Sequence, residues 1–153
     1  MAKRISIYSV RLIKEKTGLY ELEYVVIRNS QIANDVIKKV LDINNSTVEK
    51  FGIITLTVKN KIAGVHIISV GNLNSSIVHP REIFQQAILN NASAIILFHN
   101  HPSGDPTEST EDIEITKRLI EAGDILGIKV IDHIIVGEDN KYISFKAKGI
   151  CNI

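Results

Sequence analysis

Cysteine is all but missing from this sequence, the single one being Cys151 near the C-terminal end. No internal disulfide can form and no cysteine cluster can hold a metal, so a metal site would have to be built from His, Asp or Glu. Long apolar runs are missing too. None approaches the roughly 20 residues that a transmembrane helix needs. The N-terminus, MAKRISIYSV, lacks the continuous apolar core of a secretion signal. A cytoplasmic protein without a membrane partner is the expectation. Charge of one sign is scarce as well: 18 Lys and Arg against 17 Asp and Glu leave a formal net charge of +1, which gives no global electrostatic footprint for nucleic acid. No repeat, low-complexity segment or linker divides the 153 residues. One hydrophobic core is comfortable at that length and two would be marginal, so one compact domain is expected over 1–153.

What is present is an ordinary globular balance, 44% hydrophobic and 23% charged. Charge is nevertheless unevenly placed. Residues 1–20 carry five basic side chains (Lys3, Arg4, Arg11, Lys14, Lys16) against Glu15, a net +4, whereas residues 101–125 carry seven acids against Lys117 and Arg118, a net −5. The acidic stretch repels phosphate backbones, which makes DNA a poor first choice of substrate. The basic N-terminus reads as a solvated strand face.

The patterning alternates between strand and helix. RISIYSVRLI and YELEYVVI read as strands, separated by a turn at Gly18. SQIANDVIKKVLDI places Ile32, Val36, Ile37, Val40 and Leu41 on one helical stripe. FGIITLTV and IAGVHIISVG, joined by KNK, form a β-hairpin rich in β-branched residues. Pro80 opens a helix that Asn90 and Asn91 stop. SAIILFHN has the unbroken apolar character of a buried central strand. A helix over Thr110–Leu126, closed by Gly127, precedes two strands, IKVIDHIIVG and KYISF. This order predicts an α/β domain with a mixed sheet sandwiched by helices.

The chemistry concentrates in LFHNHPSGDPTESTED, residues 97–112. In an extended segment residues i and i+2 point to one side, so His99 and His101 can aim both rings at one point past the strand. Asp112 follows a loop containing Pro102, Gly104 and Pro106, long enough to bring the first turn of the next helix back to the rings. Two histidines and one carboxylate supply three ligands for Zn2+ and leave the fourth tetrahedral position for water, the mark of a catalytic rather than a structural site. Ser109 and Asp112 also form an S-x-x-D capping box, and the same geometry sets the serine hydroxyl beside the metal. Competing motifs fail: an HNH nuclease spreads its residues over a hairpin and helix, a zinc deaminase needs H-x-E and P-C-x-x-C, and a zincin needs H-E-x-x-H. His66, His79 and His133 read as structural. For a general base, Glu82, Glu108, Glu111 and Glu121 are near in sequence, but all belong in or beside helices as solvated residues.

On HNHPSGDPTESTED, and more widely on VHPREIFQQAILNNASAIILFHNHPSGDPTESTEDIEITKRL and IDHIIVG, the chain resembles the RadC branch of the JAB/MPN metalloprotease superfamily. The JAMM signature is H-x-H, ten residues, then aspartate, with a serine three before it; His99, His101, Ser109 and Asp112 fill those places. The resemblance covers about residues 31–149, leaves 1–30 unplaced, and implies a twisted mixed sheet flanked by helices, similar to cytidine deaminases. It points to Glu49, in VEKFGIITL, as the general base.

The resemblance implies zinc-dependent cleavage of a peptide or isopeptide bond in a peptide or protein substrate. His99, His101 and Asp112 would hold the metal, Glu49 would shuttle the proton, and Ser109 would donate to the oxyanion. A DNA-repair-associated accessory protein without proteolytic activity is the alternative. The helix-hairpin-helix domain of longer RadC proteins has no counterpart here, which weakens that alternative. Edge strands such as RISIYSV could pair copies into a homo-oligomer.

Overall fold

The computed structural model describes residues 13–14, 26–43, 46–71 and 78–153. The two N-terminal strand expectations therefore lie almost wholly outside the described residues. The elements run α1 (Ser30–Leu41), β1 (Lys50–Leu56), β2 (Ile62–Val70), α2 (Pro80–Leu89), β3 (Ala94–Asn100), α3 (Thr110–Leu126), β4 (Lys129–Val136), β5 (Tyr142–Ser144) and α4 (Phe145–Lys148), with a short 3-10 turn over Ile150–Asn152.

Local chemistry explains most boundaries. The Asn29 side chain accepts the Ile32 N–H at 2.9 Å and starts α1. Pro80 occupies the first turn of α2, where its missing N–H costs nothing. Gly127, at φ 70°, closes α3 in the left-handed conformation that glycine adopts without strain. One expectation needs correction: KYISF does not stay extended through Phe145. Ser144 ends β5 and caps α4 by accepting the Ala147 N–H at 3.0 Å. Asp132 reinforces the bend, taking the Ser144 hydroxyl proton at 2.7 Å and the Lys146 N–H at 3.1 Å. Two caps outweigh the strand preference of one phenylalanine.

The strands form one mixed sheet in the order β2-β1-β3-β4-β5. β1 pairs antiparallel with both β2 and β3, β3 parallel with β4, and β4 antiparallel with β5. Alternation along β3 divides the core. Ala94, Ile96 and Phe98 pack with Val36 and Ile37 of α1 on one face. Ile95 and Leu97 pack with Ile83 and Phe84 of α2 and with Ile115 and Leu119 of α3 on the other. Each fully buried Phe or Ile contributes roughly 1.5–3 kcal/mol of transfer free energy, so both helix layers are held firmly to the sheet. The α/β expectation holds, and continuing the alternation one step places His99 on the α2/α3 face.

Candidate metal centre

Pairing between β1 and β3 sets Phe51 opposite His99. Carrying that antiparallel register outward brings Lys50 opposite Asn100 and Glu49 opposite His101. The C-terminal end of β3, the place where α/β folds gather their sites, thus meets the start of β1. Glu49, His99 and His101 each offer a ligand atom, all within 4.8 Å of one another.

The third corner comes from α3. His99 Nε2 stands 2.9 Å from His101 Nε2 and 3.1 Å from Asp112 Oδ1, and His101 Nε2 stands 3.5 Å from Asp112 Oδ2. The capping box expected at Ser109 is present and fixes this carboxylate. The Ser109 N–H and hydroxyl donate to Asp112 Oδ2 at 2.8 and 2.7 Å, and Ser109 Oγ accepts the Asp112 N–H at 3.1 Å. Oδ1 is left turned toward His99.

Hydrogen bonds behind the rings decide which nitrogen carries the proton. The Thr116 hydroxyl donates to the Asp112 carbonyl at 2.6 Å, so toward His133 Nδ1, also 2.6 Å away, it must accept. His133 is therefore protonated on Nδ1, and its Nε2 accepts from His99 Nδ1 at 2.9 Å. His99 Nε2 is left with a bare lone pair. At His101 a carbonyl enforces the same outcome: Nδ1 donates to Asp105 O at 2.8 Å, leaving Nε2 free. Burial first, and the neighbouring His99 second, push the His133 pKa well below its ordinary value, which keeps that ring neutral as the relay requires.

Two facing Nε2 lone pairs repel unless a proton or cation lies between them. A tetrahedral zinc site with bonds of about 2.0–2.1 Å spaces its ligand atoms by roughly 3.3 Å, a value inside the observed spread of 2.9–3.5 Å. The donor set thus fits a divalent cation. The loop carrying His101 is seated on the β4–β5 turn. The Gly104 carbonyl accepts the Glu138 N–H at 2.9 Å, and a Cβ on Gly137 would come within 2.7 Å of that same carbonyl oxygen. Only glycine at 137 admits so close an approach.

The fold brings together Glu49, His99, His101, Ser109 and Asp112. Glu108 is drawn away into an ion pair with Lys148 at 2.7 Å, and Glu82 pairs with Arg81 at 4.0 Å. His66 lies in β2 beside Asn90, and His79 is the N-cap of α2. Sequence reading missed the part that His133 and Thr116 play. Thr116, one helical turn after Asp112, carried a weak signal through its spacing; His133 carried none.

A family model described as RadC-like JAB domain matches residues 27–150. The chain belongs to this family. It is 63% identical over 101 residues to a UPF0758 protein of Caldanaerobacter subterraneus subsp. tengcongensis, covering 66% of this chain and 43% of that one. A UPF0758 protein of Moorella thermoacetica is 44% identical over 151 residues, covering 98% of this chain and 64% of the relative. A third, from Alkaliphilus oremlandii, is 52% identical over 134 residues, covering 82% and 57%. The chain thus spans less than two thirds of the length of these relatives. Among the described residues, no helix is long and apolar enough to cross a membrane.

Proposed function

We propose that the protein is a zinc-dependent hydrolase of the JAMM type that cleaves a peptide or isopeptide bond. The observation that carries this reading is the convergence of the rings and the carboxylate: each Nδ1 has a partner behind the ring, His133 Nε2 for His99 and the Asp105 carbonyl for His101, and each Nε2 faces Asp112. Both Nε2 lone pairs then converge with the Asp112 carboxylate. Two nitrogens and one oxygen form the donor set of a zinc site that keeps a position open. Zinc bound there would supply Lewis acidity, making water at the site a nucleophile near neutral pH.

The chain's own residues do the rest. His99, His101 and Asp112 would hold the ion, while His133 and Thr116 keep His99 aimed. Glu49, beside His99 and His101, takes a proton from the attacking water on its carboxylate and passes it to the leaving amine nitrogen. The Ser109 N–H and hydroxyl both donate to Asp112 Oδ2, at 2.8 and 2.7 Å, and the N–H keeps its bond if the hydroxyl turns away. Its hydroxyl can therefore turn toward the substrate oxygen and stabilise the developing negative charge without releasing the carboxylate.

The test is a screen of zinc-loaded protein against isopeptide-linked and C-terminally linked peptides. Wild type should cleave at least one class. Glu49→Gln should lose on the order of 100-fold to 10,000-fold in kcat while keeping its zinc, and His101→Ala should lose both metal and turnover. Full activity in Glu49→Gln rules out that base. A fully loaded wild type inert toward every linkage removes the hydrolase reading.

A further inference from the structure

We propose that Asn100, the residue between the two histidines, is a positioning residue that holds Glu49 in place by clamping the main chain on either side of it. The inference rests on the reading of Glu49 as the base.

Strand alternation turns Asn100 away from His99, toward the face occupied by Ile96 and Phe98, which are core residues under α1. The next side chain outward on that face is an amide, only 3% exposed. Its Oδ1 accepts the Lys50 N–H at 2.9 Å, and its Nδ2 donates to the Val48 carbonyl at 3.2 Å. Those two groups flank Glu49. β1 begins only at Lys50, so Glu49 lies just beyond the regular ladder, where strand ends open most readily. The side chain of Asn100 thereby continues, past the end of the strand, the cross-strand bonding that the backbone gives up. From the other side the Glu49 carbonyl accepts the Gly71 N–H at 2.8 Å. The main chain at 48–50 is thus fixed at three points, two of them by one amide.

The residue type follows from the task. Gripping one carbonyl and one N–H two residues apart needs a short side chain with both a donor and an acceptor. Asparagine has both; serine is too short to span the pair and aspartate lacks the donor. Precision is what such a clamp provides, since displacing a catalytic group by about 1 Å can cost on the order of 100-fold in rate.

Cobalt(II), which reports its surroundings in the visible spectrum, is the probe. Asn100→Ala, Glu49→Gln and the double variant are loaded with cobalt(II) alone, and hydrogen exchange at the Lys50 amide is followed in parallel. Asn100→Ala should bind cobalt as wild type does and exchange its Lys50 amide roughly threefold to tenfold faster. Its spectrum should change in the same sense as that of Glu49→Gln, with no further change in the double variant, because the amide acts through Glu49. A wild-type spectrum in Asn100→Ala, or an equal change in the Glu49→Gln background, overturns the proposal and leaves the metal reading standing. A Glu49→Gln spectrum identical to wild type, or a wild type that binds no cobalt, overturns the functional reading and this inference with it. Should Asn100→Ala fail to fold, Asn100→Asp keeps the acceptor for Lys50 and sets a carboxylate oxygen against the Val48 carbonyl. The same pattern is then expected, carried by the Val48 contact alone.

Discussion

Two buried polar groups on opposite faces of the sheet have met opposite fates. On the α2/α3 face His99, His133, Thr116 and Asp112 form an unbroken chain of hydrogen bonds. In α1, on the far face, Asn34 is 1% exposed, and neither its Oδ1 nor its Nδ2 has a hydrogen-bond partner among the described residues. A buried amide left unpaired costs about 1–3 kcal/mol; a paired network both avoids that cost and fixes protons in place. Burial of polar groups is therefore not one phenomenon in this molecule. At the candidate metal centre it orders the rings, and at Asn34 a stability cost is expected with no geometric return among the described residues.

Substitutions can break or sharpen that contrast. The largest effect is expected at His99→Ala, which removes a ligand and should abolish stoichiometric zinc binding, measured on dialysed protein. His133→Phe should come next. The ring space is filled, but His99 Nδ1 loses its acceptor, and zinc affinity should fall 10-fold to 100-fold in a chelator competition. An unchanged affinity would mean that the relay does not set the His99 tautomer. Asp132→Ala tests a second satisfied group. It strands the His133 and Lys146 N–H groups, now bonded at 2.8 and 3.1 Å, and the Ser144 hydroxyl. Denaturant unfolding should show a loss of about 3 kcal/mol, with Asp132→Asn losing less than half of that. The smallest effect carries the opposite sign: Asn34→Leu should gain about 1 kcal/mol in the same assay. A loss there would show that Asn34 has a partner after all.

The sequence revealed most where local chemistry is decisive. The apolar run before His99, Pro80 at the start of α2, Ser109 and Gly127 at the ends of α3 and the H-x-H spacing each act within a few residues, so their outcome could be read directly. His133 was opaque for a different reason. A lone histidine in an apolar strand looks like any core histidine, and only the parallel register, with Leu97 beside His133, brings it behind His99. Glu49 is the same case in antiparallel form. Fifty residues separate it from His99, and only the β1–β3 pairing brings the two together. Family resemblance singled it out where residue chemistry left several acids open. Asn100 hides in plain sight, since its partners are backbone groups, and these leave no mark on a sequence.

The central claim is that the metal is held by His99, His101 and Asp112, with Glu49 as its neighbour rather than its ligand. Zinc stoichiometry measured side by side on wild type, Glu49→Gln and Asp112→Asn tests this most directly. The account predicts about one zinc per chain in the first two and a marked loss in the third. Zinc retained by Asp112→Asn and lost by Glu49→Gln would contradict it.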